Sequence, residues 1–349
     1  MSDINFKRRF VLLDALRVFL ALYVFVFHSV DLIQGWEIED TTQVAYFARF
    51  GFLAVDAFFI ISGFSIVLST KRTQGVSGTL LFIRKRLIRL IPGFLFVWLV
   101  ESYIFVFDVG IHNGSVTNKV MTAFKYMLPL SYKDVELRNF VAWSLAIEIT
   151  FYAIYAIFLL LKSISFFTRI TIGQATLLWA GLHYLALFNL ASVPRFVNLG
   201  GFSCFFMIGI ALAINLEKEK KKQAIKIMIL ILPILATKID ARILSAPGAS
   251  TRYSVALLVY AILIGSVIAC VYLPYRKRIS WIEKIGRSSY VMYLLGGSSG
   301  MYVISKFNQN YSFGISLLIS LLLIVAISLL FELFLQKKIS NLIFGKNTG

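Results

Sequence analysis

The sequence predicts an all-α integral membrane protein, a bundle of about ten transmembrane helices with both termini in the cytoplasm. Three observations lead to this prediction. Hydrophobic residues make up 59% of the 349 residues, and charged residues only 15%. The chain contains ten apolar runs of about the length that crosses a bilayer. Its basic residues cluster in alternate connections between those runs.

The composition excludes an ordinary soluble domain, in which about a quarter of the residues are charged. Mean hydropathy is +0.81. A net charge of +18 would suggest nucleic-acid binding in a soluble protein. The positive-inside rule explains the charge here, so we expect membrane lipid and no nucleic acid as a partner. The two cysteines form no CxxC motif and the three histidines have no ligand spacing, so we expect no metal site.

We interpret the ten apolar runs as one multi-pass domain over residues 1–349. The seventh run is short and contains Pro233, which makes it the weakest of the ten. The predicted spans are 10–32, 50–69, 91–109, 140–161, 171–190, 197–214, 224–238, 253–273, 287–304 and 314–335.

Basic residues orient this bundle. With the N-terminus in the cytoplasm, 24 of the 35 Lys and Arg residues fall in cytoplasmic segments and 10 in outer loops, while Arg17 lies inside the first span. This excess predicts that both termini face the cytoplasm. It also supports the seventh span, because without it the basic segment YRKRISWIEK would face outward. We therefore expect a multi-pass protein of the inner (cytoplasmic) membrane.

The first span, LLDALRVFLALYVFVFHSVDL, carries Arg17 and His28. Their eleven-residue separation corresponds to an offset of about 20° and about 16 Å along a helix, so both lie on one face. Arg17 is nearer the cytoplasm and His28 nearer the outer surface. Either residue alone also fits an interfacial position. Ionisable residues within a membrane are nevertheless functional candidates by default.

Two carboxylates are predicted to lie inside other spans. Asp56 falls in the outer half of the second span, and Glu148 about eight residues into the fourth, one turn after Ser144 on the same helix face. A carboxylate at such a depth needs a partner, and we favour a functional role for both. Glu101 in the third span has a weaker claim.

The segment FIRKRLIRLIP precedes the third span. Arg86 and Arg89 are three residues apart and share a helix face at the cytoplasmic mouth. Ordinary positive-inside charge is one interpretation; a phosphate-binding pair is the other, since guanidinium forks suit phosphate oxygens. Pro92 is predicted in the first turn of the span, where its missing N–H is harmless.

Five segments in order, LDALRVFLALYVFVFH, GFLAVDAFFIISGFSI, RKRLIRLIP, WSLAIEITFY and IGRSSYVMYLL, resemble the membrane acyltransferase-3 family. Its members acylate sugars and other hydroxyl-bearing molecules. The resemblance implies that Arg17 and His28 are the essential pair of the first helix, that Arg86 and Arg89 form the cytoplasmic Arg-x2-Arg motif, and that Glu148 is the glutamate of the fourth span. It also implies an acyl-CoA donor, usually acetyl-CoA, from the cytoplasm.

One position departs from the family pattern. Many members have a histidine two residues after the SYxxYL segment, where this chain has Gly296. Any acid–base role of a second histidine is therefore absent here, and His28 takes a larger share of the expected chemistry.

The resulting hypothesis is transfer of an acetyl group to a hydroxyl of a cell-surface carbohydrate, such as a lipopolysaccharide O-chain or an exopolysaccharide. Coenzyme A phosphates dock on Arg86 and Arg89, and Arg17 holds the donor. His28 acts as general base or as the acyl acceptor. Asp56 and Glu148 are alternative residues for orienting the imidazole.

Two other classes of function are alternatives. Intramembrane charges also line the substrate paths of transporters and flippases. Against that class, the spans show no inverted repeat and no paired broken helices. A scaffolding protein would leave the intramembrane charges without a purpose. Nothing in the sequence indicates the oligomeric state.

Overall fold

The computed structural model describes residues 10–34, 48–70, 75–104, 141–162, 164, 199–216, 220–244, 253–273 and 279–344. Within these residues the chain is helical and contains no strand, which confirms the predicted all-α class. The helices are α1 (Val11–Gln34), α2 (Ala54–Thr70), α3 (Gly75–Tyr103), α4 (Ala142–Leu160), α5 (Leu199–Asn215), α6 (Lys221–Leu244), α7 (Tyr253–Tyr272), α8 (Ser280–Leu295), α9 (Ser298–Phe307), α10 (Phe313–Leu330) and α11 (Lys337–Phe344).

Five helical stretches in the described part of the chain are long and apolar enough to cross a bilayer: Val11–Val30, Gly51–Thr70, Trp143–Leu160, Tyr253–Tyr272 and Phe313–Leu342. They match the first, second, fourth, eighth and tenth predicted spans. The sixth corresponds to a shorter apolar helix, Phe202–Asn215. The fifth, 171–190, lies outside the described residues. Ten spans, one domain over 1–349 and cytoplasmic termini stay predictions.

The described helices form two compact units. The first comprises residues 1–16, 53–84 and 145–278. Within it, α2 and α5 pack so closely that a Cβ atom on Gly63 would overlap the backbone of Phe206, and one on Gly209 would overlap the Ile60 carbonyl. Small residues allow such close approach, which is how membrane helices gain packing energy without a hydrophobic driving force.

The second unit comprises residues 17–52, 85–144 and 279–349. The ninth predicted span, 287–304, is not one helix here, because the chain turns at Gly296–Gly297 between α8 and α9. The Ser320 hydroxyl of α10 donates a 3.0 Å hydrogen bond to the Gly300 carbonyl. Just after the break, α9 therefore lies against another helix of the same unit, where protein groups can bind exposed backbone atoms.

Pro92 is not where we predicted it. Helix α3 begins at Gly75, so Pro92 lies in the interior of a 29-residue helix. Its missing N–H leaves the Ile88 carbonyl without its helical donor. The Gln336 side chain supplies one instead, with Nε2 2.8 Å from the Ile88 oxygen. Gln336 ends a π-helical turn, Phe331–Gln336, between α10 and α11.

This arrangement predicts that the importance of Gln336 depends on Pro92. Gln336→Ala should lower stability by roughly 1–3 kcal/mol, because it leaves a part-buried carbonyl unsatisfied. In a Pro92→Ala background the helix supplies its own N–H to the Ile88 carbonyl, so Gln336→Ala should lower the stability by less. Thermal unfolding of the four proteins in one detergent measures the difference. An equal loss in both backgrounds would contradict the explanation.

Candidate active site

Helix α1 presents Arg17 and His28 from one continuous element. The helix runs without interruption from Val11 to Gln34, so the predicted offset of about 20° and about 16 Å between the two residues applies. Both side chains are half-buried. Both belong to the second unit. A permanent cation, Arg17, and a titratable imidazole, His28, thus lie in opposite halves of a single helix.

An aromatic ring packs beside the histidine. The Phe27 ring lies 4.7 Å from the His28 ring, centroid to centroid, and 5.6 Å from the Phe52 ring. The Ser29 hydroxyl donates to the Phe25 carbonyl at 2.8 Å, which turns it back onto its own helix.

Gly296, the position at which many family members carry histidine, has little room for a side chain. A Cβ atom there would lie 3.1 Å from the Phe25 Cβ and 3.1 Å from the Met292 carbonyl oxygen. One helical turn later, a Cβ on Gly300 would lie 2.6 Å from the Phe25 ring. Phe25 of the histidine-bearing helix therefore takes up the space beside the α8–α9 break.

The two arginines of α3 differ in environment. Arg86 is only 8% exposed, whereas Arg89 is exposed. They share a helix face, as predicted from their spacing, but the packing encloses one and leaves the other accessible. An accessible guanidinium can bind a soluble anion directly. An enclosed guanidinium can bind an anion once some of the surrounding water has been excluded. Both belong to the second unit.

Glu148 lies in the first unit and is held by two hydroxyls. Ser62 of α2 donates to Glu148 Oε1 at 2.6 Å, and Tyr152, one turn later on α4, donates to the same oxygen. Ser144, which the helix periodicity placed on the Glu148 face, instead shares a 2.8 Å hydrogen bond with Tyr293. The i, i+4 spacing of Glu148 and Tyr152 was a signal for this partner; nothing in the sequence indicated Ser62.

Asp56 also lies in the first unit, in a second network. It is 1% exposed, and its Oδ2 accepts hydrogen bonds from Arg242 Nε at 3.4 Å and from the Tyr260 hydroxyl. Within the described residues, Oδ1 has no hydrogen-bond partner. Lys238 lies 4.0 Å from the centre of the Phe202 ring. The carboxylate thus joins α2, α6 and α7.

The predicted site residues therefore fall into two groups. Arg17, His28, Arg86 and Arg89 belong to the second unit; Asp56 and Glu148 belong to the first, each with its own hydroxyl partners. Orientation of the imidazole by either carboxylate stays a prediction. Among the described residues, no group of three His, Cys, Asp or Glu side chains could hold a metal ion.

The packing around Gly296 predicts a coupled substitution. Gly296→His alone should destabilise the protein by roughly 1–3 kcal/mol, because the new side chain must displace Phe25 or the α8 backbone. Phe25→Ala in the same protein should recover part of that loss. Gly314→Ala is the control, since a Cβ at Gly314 meets no atom within 4 Å. Unfolding temperatures in detergent test this, and a fully tolerated histidine would refute it.

Comparison with protein families matches residues 10–335 to the acyltransferase-3 family, whose model is described as an acyltransferase domain. Searches among curated proteins and among solved structures found no match. The family match includes α1, the two arginines of α3 and both carboxylate networks. Because it extends over nearly the whole chain, it establishes the family and the acyltransferase class of enzyme, while dependence on acyl-CoA stays a prediction. This chain belongs to the acyltransferase-3 family and is a membrane acyltransferase.

Proposed function

We propose that this protein transfers an acetyl group from cytoplasmic acetyl-CoA to a hydroxyl of an envelope carbohydrate, either a lipopolysaccharide O-antigen or an exopolysaccharide. The observation that supports this most directly is the placement of Arg17 and His28 on one face of the uninterrupted helix α1. A cation suited to an anionic donor and a base suited to a hydroxyl acceptor are held about 16 Å apart along the axis.

The donor end of the proposed site is formed by arginines. Coenzyme A carries several phosphates, and guanidinium groups bind phosphate oxygens through parallel N–H donors. Arg89 is accessible, so it makes the first contact with the nucleotide. The enclosed Arg86 binds deeper. The pantetheine arm then extends along the helices toward His28, with Arg17 holding the donor on the way.

His28 performs the proton transfer in this proposal. The acceptor hydroxyl loses its proton to the imidazole as its oxygen attacks the thioester carbonyl carbon. The C–S bond then breaks, and the imidazolium returns the proton to the coenzyme A thiolate. Histidine suits this role because its unperturbed pKa lies near neutral pH. An acyl-histidine intermediate is the alternative, in which the imidazole nitrogen itself attacks the carbonyl.

The proposed acceptor follows from the predicted topology. His28 is expected in the outer half of an inner-membrane protein, where envelope sugars are presented. Acetyl-CoA is cytoplasmic, so the protein connects the two sides. Family membership favours this enzymatic role over the transporter or flippase alternative, which has no need of a thioester donor.

The proposed reaction is tested with purified protein and radiolabelled acetyl-CoA, together with surface glycans from cells that have or lack the gene. We expect thioester turnover by the protein, and one additional acetyl group on a sugar, measured by mass, in the cells that have it. Turnover without any change in surface sugars would refute the carbohydrate acceptor. The absence of both thioester hydrolysis and transfer would refute the donor.

Replacement of the proposed base should strongly lower turnover while the fold remains. His28→Ala is expected to lower kcat by about 10²–10⁴-fold, the usual contribution of general base catalysis. Phe19→Ala is the matched control, since Phe19 is on the same helix with an exposed side chain. Initial rates with labelled acetyl-CoA give the comparison. Wild-type rates in His28→Ala would rule out this residue as base or nucleophile.

A further inference from the structure

An ion pair links α8 to the π-helical turn of the second unit. Arg287 Nε lies 3.1 Å from Glu332 Oε1. The two side chains differ in exposure, at 51% for Arg287 and 13% for Glu332. The carboxylate is thus largely enclosed, while half of the arginine is accessible. Neither residue was predicted as a site residue from the sequence, where Arg287 counted toward the positive-inside excess and lies in the segment IGRSSYVMYLL.

The π-helical turn that carries this carboxylate also contacts the helix of the predicted donor site. Arg89 of α3 and Arg287 are both close enough to Glu332 for their charges to interact with it. A second contact holds these elements together, because Gln336, four residues after Glu332, donates to the carbonyl of Ile88, the neighbour of Arg89. The π-helical turn is therefore attached to α3 at the turn that carries Arg89. Single π turns within α-helices are frequent at functional sites.

The charge of this cluster suits an anionic ligand. The accessible guanidinium of Arg287 pairs with the enclosed Glu332 carboxylate, and Arg89, also accessible, is next to the α3 residue that the same π-helical turn contacts. The Glu332 contact uses Nε of Arg287, and a guanidinium has five N–H donors in all. The terminal amino groups of an accessible arginine can then bind a further anion in the forked geometry that phosphate oxygens favour.

We propose that Arg287 is a further donor-binding residue, which together with Arg89 binds a phosphate group of the acyl-CoA, and that Glu332 anchors its guanidinium. This rests on the proposed function, because it takes coenzyme A as the donor. It adds a residue from α8, about 200 positions away in the chain, to the Arg-x2-Arg pair of α3. Glu332 is a positioning residue and makes no contact with the ligand.

The test is direct binding of coenzyme A and of pantetheine to the full-length protein in nanodiscs, by calorimetry. Arg287→Ala should weaken coenzyme A binding about tenfold, the loss expected for a charge-assisted hydrogen bond. It should leave pantetheine binding unchanged, because pantetheine has no nucleotide phosphates. Lys284→Ala is the matched control, as it removes the same charge from an exposed side chain one turn earlier on α8. It should change binding by less than about twofold, the size of a screened surface effect.

The Glu332→Gln substitution distinguishes phosphate binding by Arg287 from a purely structural role of the Arg287–Glu332 ion pair. It breaks the pair but keeps the Arg287 cation, so coenzyme A affinity should stay within about threefold of wild type if Arg287 binds phosphate. Equal losses in Arg287→Ala and Glu332→Gln would overturn the proposal. So would wild-type affinity in Arg287→Ala. If wild-type protein bound no coenzyme A at all, the donor assignment would fail, and this proposal with it.

A double-mutant cycle tests whether Arg89 and Arg287 bind the same phosphate group. Arg89→Ala and Arg287→Ala should be non-additive in coenzyme A affinity, since residues that bind the same phosphate are coupled. In turnover assays, Arg287→Ala should raise KM for acetyl-CoA and leave kcat within about twofold, because a ground-state contact is removed. Additive losses in affinity would overturn the shared-phosphate assignment.

Discussion

A polar group inside a bilayer has to find its partner within the protein, because hydrocarbon offers no hydrogen bonds. The described helices depend on this constraint. Asp56 draws Arg242 and Tyr260 together from α6 and α7, while the Ser62 hydroxyl of α2 binds Glu148 on α4. Apolar contact alone discriminates poorly between helix faces when lipid is equally apolar. The two carboxylates therefore specify which helices of the first unit meet, and at which turn.

The same constraint applies to the backbone of the second unit. Pro92 removes one hydrogen-bond donor from α3, and Gln336 replaces it from a π-helical turn more than 200 residues later. That turn also carries Glu332, which pairs with Arg287. One short segment thus supplies both the donor that the α3 backbone lacks and the carboxylate that pairs with Arg287 of α8. The predicted donor arginines, Arg86 and Arg89, lie six and three residues before Pro92 in the chain.

The departure at Gly296 illustrates how one change in a site involves its neighbours. The Phe25 side chain packs against Gly296 and Gly300, so the α8–α9 break has no room for a second histidine without repacking α1. Phe25 lies three residues before His28 on that helix. In the proposed mechanism the lack of a second imidazole leaves proton transfer to His28, and the packing that excludes the second imidazole also contacts the helix that presents His28.

The sequence by itself determined the membrane class, the helical fold and the spacing of Arg17 and His28, because hydropathy and helix periodicity are local properties of the chain. It misplaced Pro92, since charged residues interrupt the first half of α3 and the continuous apolar run begins only after them. It also missed the α8–α9 break, because glycines do not interrupt a hydropathy pattern. Only the tertiary structure decided the partners of Asp56, Glu148 and Glu332. Those partners come from segments far apart in the chain, and no local pattern encodes which distant side chain reaches a given carboxylate.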